Sequence, residues 1–292
     1  MSTETVSVFC AITCRLGEGP TYDPLRNSVL WFDIVGCKLL ERQWPDGPTT
    51  VHSLPEMASA IAVVDEKRQL MATETGLFLR DAVTGALSKV IDIESDQPET
   101  RSNDARVHPS GAFWISTMGK RGEHQAGSIY WYRGGESRRL YPHITVPNSI
   151  CFSPDGGTAF FADTRTNILY RVECDAGTGL PVGEPQVFLD QGGMKGGMDG
   201  SVIDADGQLW NARWGAAALD CYAPDGRHFH RIALPAKQGT CPAFVGPDAD
   251  RLVVTSAWQG MDEATRAGDP DAGKTFLIEV PVRGRHEPRV LI

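Results

Sequence analysis

The sequence predicts an all-β fold, a six-bladed β-propeller, on three observations. One unit of short apolar strands recurs along the 292 residues, and turn chemistry such as PDGG, ADG and APDG separates its strands. No long stretch carries the 3.6-residue apolar period of a helix. Each unit runs from an apolar strand through a turn of Pro, Asp or Gly to a second strand often reading Leu-Trp. A small or polar step then leads into a third strand that ends in a turn.

The units follow in order. The first spans TYDPLRNSVLWFD to KLLER, the second IAVVDEKRQLMATETGLFLRDAVTG, and the third ARVHPSGAFWIST with GSIYWYRGG. The fourth is ICFSPDGGTAFFADTRTNILYRVECDAGTG, the fifth SVIDADGQLWNARWGAAALDCYAPDG, and the sixth AFVGPDADRLVVTSAW with KTFLIEV. Aligned on the second strand, Leu30, Leu70, Phe113, Ala159, Leu209 and Leu252 are separated by 40, 43, 46, 50 and 43 residues. Repeats of that length with up to four strands each mark a propeller. Six of them fill residues 1–292, which are expected to form a single domain.

A ring of blades must close. VSVFC at 6–10 precedes the first unit and is expected to join the sixth blade as its outer strand, with PRVLI at 288–292 competing for that place. Only MDEATRAGD at 261–269 suggests a turn or so of helix, inside a loop.

Composition narrows the function. Apolar residues make up 41% and charged residues 22%, as in globular proteins, and 31 glycines exceed the roughly 7% usual share, which favours many turns. A net charge of −9 argues against a nucleic-acid surface, which needs clustered Lys and Arg. No run approaches the roughly 18 apolar residues that span a bilayer, and MSTETVSVFC lacks a signal pattern. The expected location is cytoplasmic, with no membrane partner, as a monomer or weak dimer. Seven cysteines show no Cys-x-x-Cys pair and no His cluster spaced for zinc, so reduced, mostly buried thiols are expected.

In a propeller the first strand of each blade lines the central channel, so equivalent positions near its start point at one axis. Six residues before the turn position, Pro24 leads back to Glu18, Pro109 to Asn103, Pro154 to Asn148 and Ala205 to Asp199. The same count from Pro247 gives Cys241, and the second blade offers Ser59 or Ala60. Cys241 has no base in sequence reach and is given no nucleophilic role. Four oxygen-bearing side chains at one mouth, two of them carboxylates that would repel, point to a single hard divalent cation. Ca2+ comes first, with Mg2+ and Mn2+ as alternatives and Zn2+ less natural. Arg101, two residues before Asn103, is placed to hold substrate oxygens with its fork of donors or to pair with Glu99 or Asp104. The glycine-rich DQGGMKGGMDG at 190–200 lacks a phosphate-loop pattern and is read as letting the backbone bend close to the ion. His108, His124 and His143 are read as turn or surface residues.

The combination of LGEGP at 16–20, RSND at 101–104, WISTMG at 114–119, VPNSICFSPDG at 146–156, MDGSVIDADGQLWNARW at 198–214 and TSAWQGMDEA at 255–264 resembles the regucalcin, gluconolactonase and luciferin-regenerating enzyme family. The resemblance covers nearly the whole chain in order. It implies one divalent ion at the channel mouth and hydrolysis of a sugar lactone such as gluconolactone to the aldonic acid. Carried over by motif, it implies Glu18, Asn148 and Asp199 as metal ligands, Arg101 and Asn103 as substrate-binding residues, and Asp199 as general base. One departure stands out: where some relatives have acidic residues after Thr-Met, this chain has Gly119, Lys120 and Arg121, which read either as a solvated loop, the commoner outcome for Lys and Arg on a turn, or as a basic rim that favours a more anionic substrate or product. A phosphotriester or other ester hydrolase using the same metal, and a calcium-binding propeller without catalysis, are the alternatives.

Overall fold

The computed structural model describes residues 4–292 and consists of six four-stranded antiparallel sheets around a central channel. After an N-terminal strand β1 (Thr5–Cys10), blade one is built from β2 (Gly17–Asp23), β3 (Ser28–Asp33), β4 (Lys38–Gln43) and β5 (Thr49–Ser53). Blade two holds β6 (Ala58–Val63), β7 (Arg68–Thr73), β8 (Gly76–Asp81) and β9 (Leu87–Asp92), and blade three β10 (Thr100–Val107), β11 (Phe113–Gly119), β12 (Gly127–Arg133) and β13 (Glu136–Ile144). Blade four holds β14 (Pro147–Phe152), β15 (Thr158–Asp163), β16 (Ile168–Glu173) and β17 (Gln186–Asp190). Blade five holds β18 (Gly197–Ile203), β19 (Leu209–Trp214), β20 (Ala218–Tyr222) and β21 (His228–Ala233). Blade six orders β22 (Gly239–Val245), β23 (Arg251–Ser256) and β24 (Thr275–Glu279), with β1 as its fourth strand.

The closing strand pairs Thr5 with Glu279 and Val8 with Phe276, so one sheet contains both ends of the repeat array. PRVLI forms no strand, because its hydrogen bonds go to different blades: Val290 N–H to Val63 O and Leu291 N–H to Gly111 O. The helical turn expected near 261–269 is α1 (Glu263–Ala267), capped by the Asp262 carboxylate accepting from Thr265 N–H at 2.8 Å.

Inner and second strands are buried almost throughout, whereas the fourth strands are mostly exposed. Each inter-blade gap is filled by its own apolar cluster. Trp31, Val29 and Leu40 meet Phe9, Val245 and Val253 between blades one and six, and Trp114 and Ile129 meet Phe152 and Phe161 between blades three and four. Aromatic rings lock the first of these gaps, with Phe9 6.0 Å from both Trp31 and Trp44. No helix among the described residues is long and apolar enough to cross a membrane.

One feature repeats in all six blades and sets up the channel mouth. Every inner strand carries an irregular step in register against its second strand, at Glu18–Thr21, Ala58–Ala60, Ser102–Ala105, Asn148–Cys151, Met198–Ser201 and Gly239–Pro242. A bulge bends a strand and re-aims its side chains. The positions reached by counting back from the turns, Glu18, Ser59, Asn103, Asn148, Asp199 and Cys241, all fall inside these stretches.

Candidate active site

The bulges need unusual backbone. Gly19, directly after Glu18, has φ +55°, and a Cβ there would collide with the Ser59 carbonyl of blade two. Ser149 takes the same place after Asn148 at φ +58°, although it is not glycine. Its hydroxyl donates to the Asp199 carbonyl and accepts from Ser201 Oγ at 3.1 Å, so a conformation that is costly for a side chain is tied across to blade five. Gly200 follows Asp199, and a Cβ there would strike the Cys241 side chain. Inner strands of blades five and six therefore approach too closely for any other residue.

Small polar groups stitch the remaining strands together. Ser59 bonds Ser102 at 2.9 Å, Thr21 donates to Ile61 O at 3.1 Å and Thr240 to Gly17 O at 2.6 Å. Asn103 Nδ2 donates to Asn148 Oδ1 at 2.8 Å and to Pro147 O at 2.9 Å. Asn148 Nδ2 donates in turn to Thr164 Oγ1 at 2.8 Å, and Thr164 donates to Met198 O at 2.6 Å. Both amides are thereby fixed before any ligand arrives.

Glu18, Arg101, Asn103, Asn148 and Asp199 line one cavity of about 800 Å3 at the mouth of the channel. Its rim adds Lys120, Arg121, Arg165, Trp214 and Gln259. Arg101 belongs to inner strand β10. Its guanidinium donates to Ser102 O and Asn103 Oδ1, both at 2.8 Å, and makes no ion pair with Glu99 or Asp104. A second groove of about 480 Å3 between blades four and five, lined by Phe160, Phe188 and Pro224, holds none of these residues.

Electrostatically the floor is a cluster of buried acids. Burial, then the neighbouring Asp104, pushes the Glu18 carboxyl up to about 8 despite the Gly19 N–H and Arg101. Asp199 is raised well above the carboxylate range by burial and then by Glu18. Asp104 rises to about 6 through burial, opposed by Arg106 and by the Ile150 N–H that it accepts at 2.7 Å. Burial pulls the Arg101 guanidinium down to about 10, with Glu18 and Asp199 opposing.

Asp104 and Arg106 were not singled out from the sequence. Strand alternation would send Asn103 and Asp104 to opposite faces, yet the Ser102–Ala105 bulge lets both reach blade four, at Asn148 and Ile150. Arg106 closes the channel below them. Its guanidinium donates to Pro20 O at 3.2 Å, Pro242 O at 2.7 Å and Cys241 Sγ at 3.1 Å. Cys241 is thus buried under an arginine, with its thiol raised by burial, which does not suit a nucleophile. The seven cysteines are all free and six are buried. His124 and His143 are exposed, whereas His108 is fully buried, bonding Ser110 Oγ and Gly156 O at 2.8 Å each.

The donor set suits a hard cation. No three His, Cys, Asp or Glu side chains cluster as metal ligands among the described residues, so any such site depends on an amide as well as on carboxylates. Glu18 and Asp199 form no ion pair among the described residues, and the Glu18 carboxylate helps to raise Asp199. Two buried carboxylates without an ion-pair partner beside the pre-oriented Asn148 are chemically compatible with an oxygen-ligated divalent ion.

A six-bladed propeller whose bulged inner strands bring acids, amides and an arginine to one mouth defines a class of channel-site propellers. Within that class, the SMP-30/gluconolactonase/LRE-like pattern matches residues 16–258. The chain is 52% identical to a Rhizobium meliloti protein assigned provisionally as a sugar lactone lactonase, covering 94% of this chain and 93% of that one. It is 33% identical to the L-arabinolactonase of Azospirillum brasilense, over 90% of this chain and 88% of that one. It superposes on the crystal structure of a calcium-binding protein, regucalcin, from Agrobacterium tumefaciens with a TM-score of 0.96 and 51% identity, over 98% of this chain and 97% of that one. The chain belongs to the SMP-30/gluconolactonase/LRE-like family.

Proposed function

We propose that the protein is a lactonase that opens a sugar lactone to its aldonic acid with the help of one divalent cation, Ca2+ first among the candidates. The observation that carries this is the convergence of Glu18, Arg101, Asn103, Asn148 and Asp199 on one cavity, together with relatives named as lactonases at 52% and 33% identity. Glu18, Asn148 and Asp199 would hold the ion. Bound there, it supplies Lewis-acid polarisation of the lactone carbonyl.

The protein's own groups do the rest. Arg101 remains cationic near neutral pH and presents N–H donors to ring and hydroxyl oxygens, while Asn103 fixes the sugar from the same strand. Positioning of this kind lowers a barrier by several kcal/mol, with about 7–11 as the range for ideally oriented groups. Asp199 accepts a proton from the attacking water as the water oxygen bonds to the carbonyl carbon. That proton passes to the departing ring oxygen as the ester C–O bond breaks, which leaves a carboxylic acid and a free hydroxyl. Burial of the floor keeps bulk water from competing with the positioned one.

Asp199→Ala tests the assignment. Turnover and divalent-ion binding should both be lost while the far-ultraviolet circular dichroism of the propeller stays unchanged. Normal lactone hydrolysis by that variant after chelation would sink the proposal. Because the 51%-identical neighbour is described as calcium-binding, a binding propeller without catalysis is the competing reading. It is favoured if no lactone turns over with any divalent ion.

A further inference from the structure

The cavity reverses the sign of the molecule around it. The chain has 37 acidic against 28 basic residues, yet the cavity is lined by Arg101, Lys120, Arg121 and Arg165 against only Glu18 and Asp199. A divalent cation between Glu18 and Asp199 would offset those two acids. The rim cations would then be unanswered from within the cavity.

The four cations differ in how far their charge is already met. Arg101 lies buried on the floor and turns onto Ser102 and Asn103. Lys120 pairs with Glu74, and Arg121 with Glu123 at 2.9 Å. Arg165 is exposed and has no carboxylate within 4.0 Å of its guanidinium among the described residues. Its nearest acid in sequence, Asp163, is occupied by backbone: Thr145 N–H, Val146 N–H and Arg165 N–H each donate to it at 3.0 Å.

Arg165 is also anchored at its base. Preceding Thr164 bonds Asn148 and Met198 O, and the turn is pinned by Asn167 N–H to Asp163 O at 2.8 Å. Its backbone is therefore held beside a floor residue while its side chain faces the mouth unpaired. An unpaired guanidinium is a fork that matches the two oxygens of an oxyanion.

Building on the lactonase reading, we propose that the preferred lactone carries a second, anionic group on its carbon chain, and that Arg165 is the specificity residue that reads it. The shared chemistry is a terminal oxyanion, whether carboxylate, sulfonate or phosphate. Rim charge of one sign also steers such a substrate toward the mouth, an effect that salt screens.

The test compares kcat/KM of the metal-loaded full chain on a neutral hexonolactone and on three partners of the same ring: the aldaric acid monolactone, the 6-sulfonate and the 6-phosphate. At least one anionic lactone should exceed the neutral one by about tenfold, on the scale of one charge-assisted contact, by a margin that shrinks in high salt. The winning arm identifies the anion. Arg165→Gln should lower the anionic-to-neutral ratio by a similar factor, mainly through KM, whereas Arg227→Gln, an exposed arginine on a blade-five turn, should leave that ratio alone. The proposal is overturned if the neutral lactone is used as well as all three anionic ones, or if Arg165→Gln changes the ratio no more than Arg227→Gln does. Absence of turnover on every lactone would overturn the lactonase reading instead. Calorimetric binding of the matching neutral and carboxylated lactams would then decide the anion preference separately, tighter binding of the carboxylated lactam supporting it and equal binding overturning it.

Discussion

Replacing Glu18 by glutamine should make the metal-free protein more stable while removing its response to metal. The Glu18 carboxyl is pushed from 4.5 to about 8 by burial and by the neighbouring Asp104. A carboxyl raised in the folded state contributes stability that is fully present below about pH 4.5 and is lost as pH climbs toward 8. At about 1.4 kcal/mol per unit, the loss by pH 8 is on the order of 4 kcal/mol. Glutamine keeps an oxygen for the Gly19 N–H, which donates to Glu18 Oε2 at 3.0 Å, and removes the charge that also raises Asp199. Allowing for burial of the new amide, the gain at pH 8 should be roughly 2–3 kcal/mol, or ~5–10 °C in Tm for a chain of this size. Differential scanning calorimetry in chelator at pH 5 and pH 8 reads it, and the difference between variant and wild type should be small at pH 5. Added Ca2+ at a hundredfold its Kd should raise wild type by about 2.7 kcal/mol and Glu18→Gln by far less. A variant that melts at or below wild type at pH 8, or that keeps the full metal shift, rules out a destabilising, metal-binding Glu18 carboxylate.

Two other perturbations test the scaffold away from the mouth. Asp220 is buried in blade five beside the buried Arg213 at 3.8 Å, with Arg231 at 2.6 Å and His228 at 3.2 Å; Asp220→Ala leaves Arg213 uncompensated and should cost about 3–5 kcal/mol in denaturant unfolding. Burial opposes ionisation of Asp220, but Arg231 and His228 outweigh it and hold its carboxyl below the usual range, so its contribution should be lost only as pH falls through that lowered pKa. The tail after Pro281 straps the far end of the channel: Arg285 donates to Ile203 O and Phe152 O, His286 bonds Gly246 O at 2.8 Å, Glu287 accepts from Val107 N–H at 3.2 Å, and Val290 packs between blades two and three. Truncation after Pro281 uncovers Arg106, whose guanidinium lies 4.0 Å from Glu287, and should cost roughly 3 kcal/mol or more by the same unfolding measurement.

Strand order and channel positions were legible because a repeat turns sequence spacing into geometry. Glu18 and Asp199 lie far apart in the chain, but the same offset from a turn puts both in the bulge of an inner strand. Asp104 and Arg106 were not legible for the same reason in reverse. Their surroundings depend on a bulge that breaks the two-residue alternation, and on partners such as Cys241, 135 residues away. PRVLI has the composition of a strand, but β1 fills the outer place of the sixth blade and the segment bonds blades two and three instead. His108 sits at a turn as its sequence suggested, yet Gly156 and Gly179 let two loops close over it, which spacing alone does not reveal. The basic rim was visible at Lys120 and Arg121. Arg165 emerged only from its fixed turn and its occupied neighbour Asp163.

The most direct test of the central claim is the initial rate of acid release from a sugar lactone by chelated protein, before and after stoichiometric addition of Ca2+, Mg2+, Mn2+ or Zn2+, with bound metal counted on the same samples. A metal-dependent lactonase shows no turnover in chelator and full recovery at one bound ion per chain. Undiminished hydrolysis by metal-free protein, or none with any of the four ions, would contradict it.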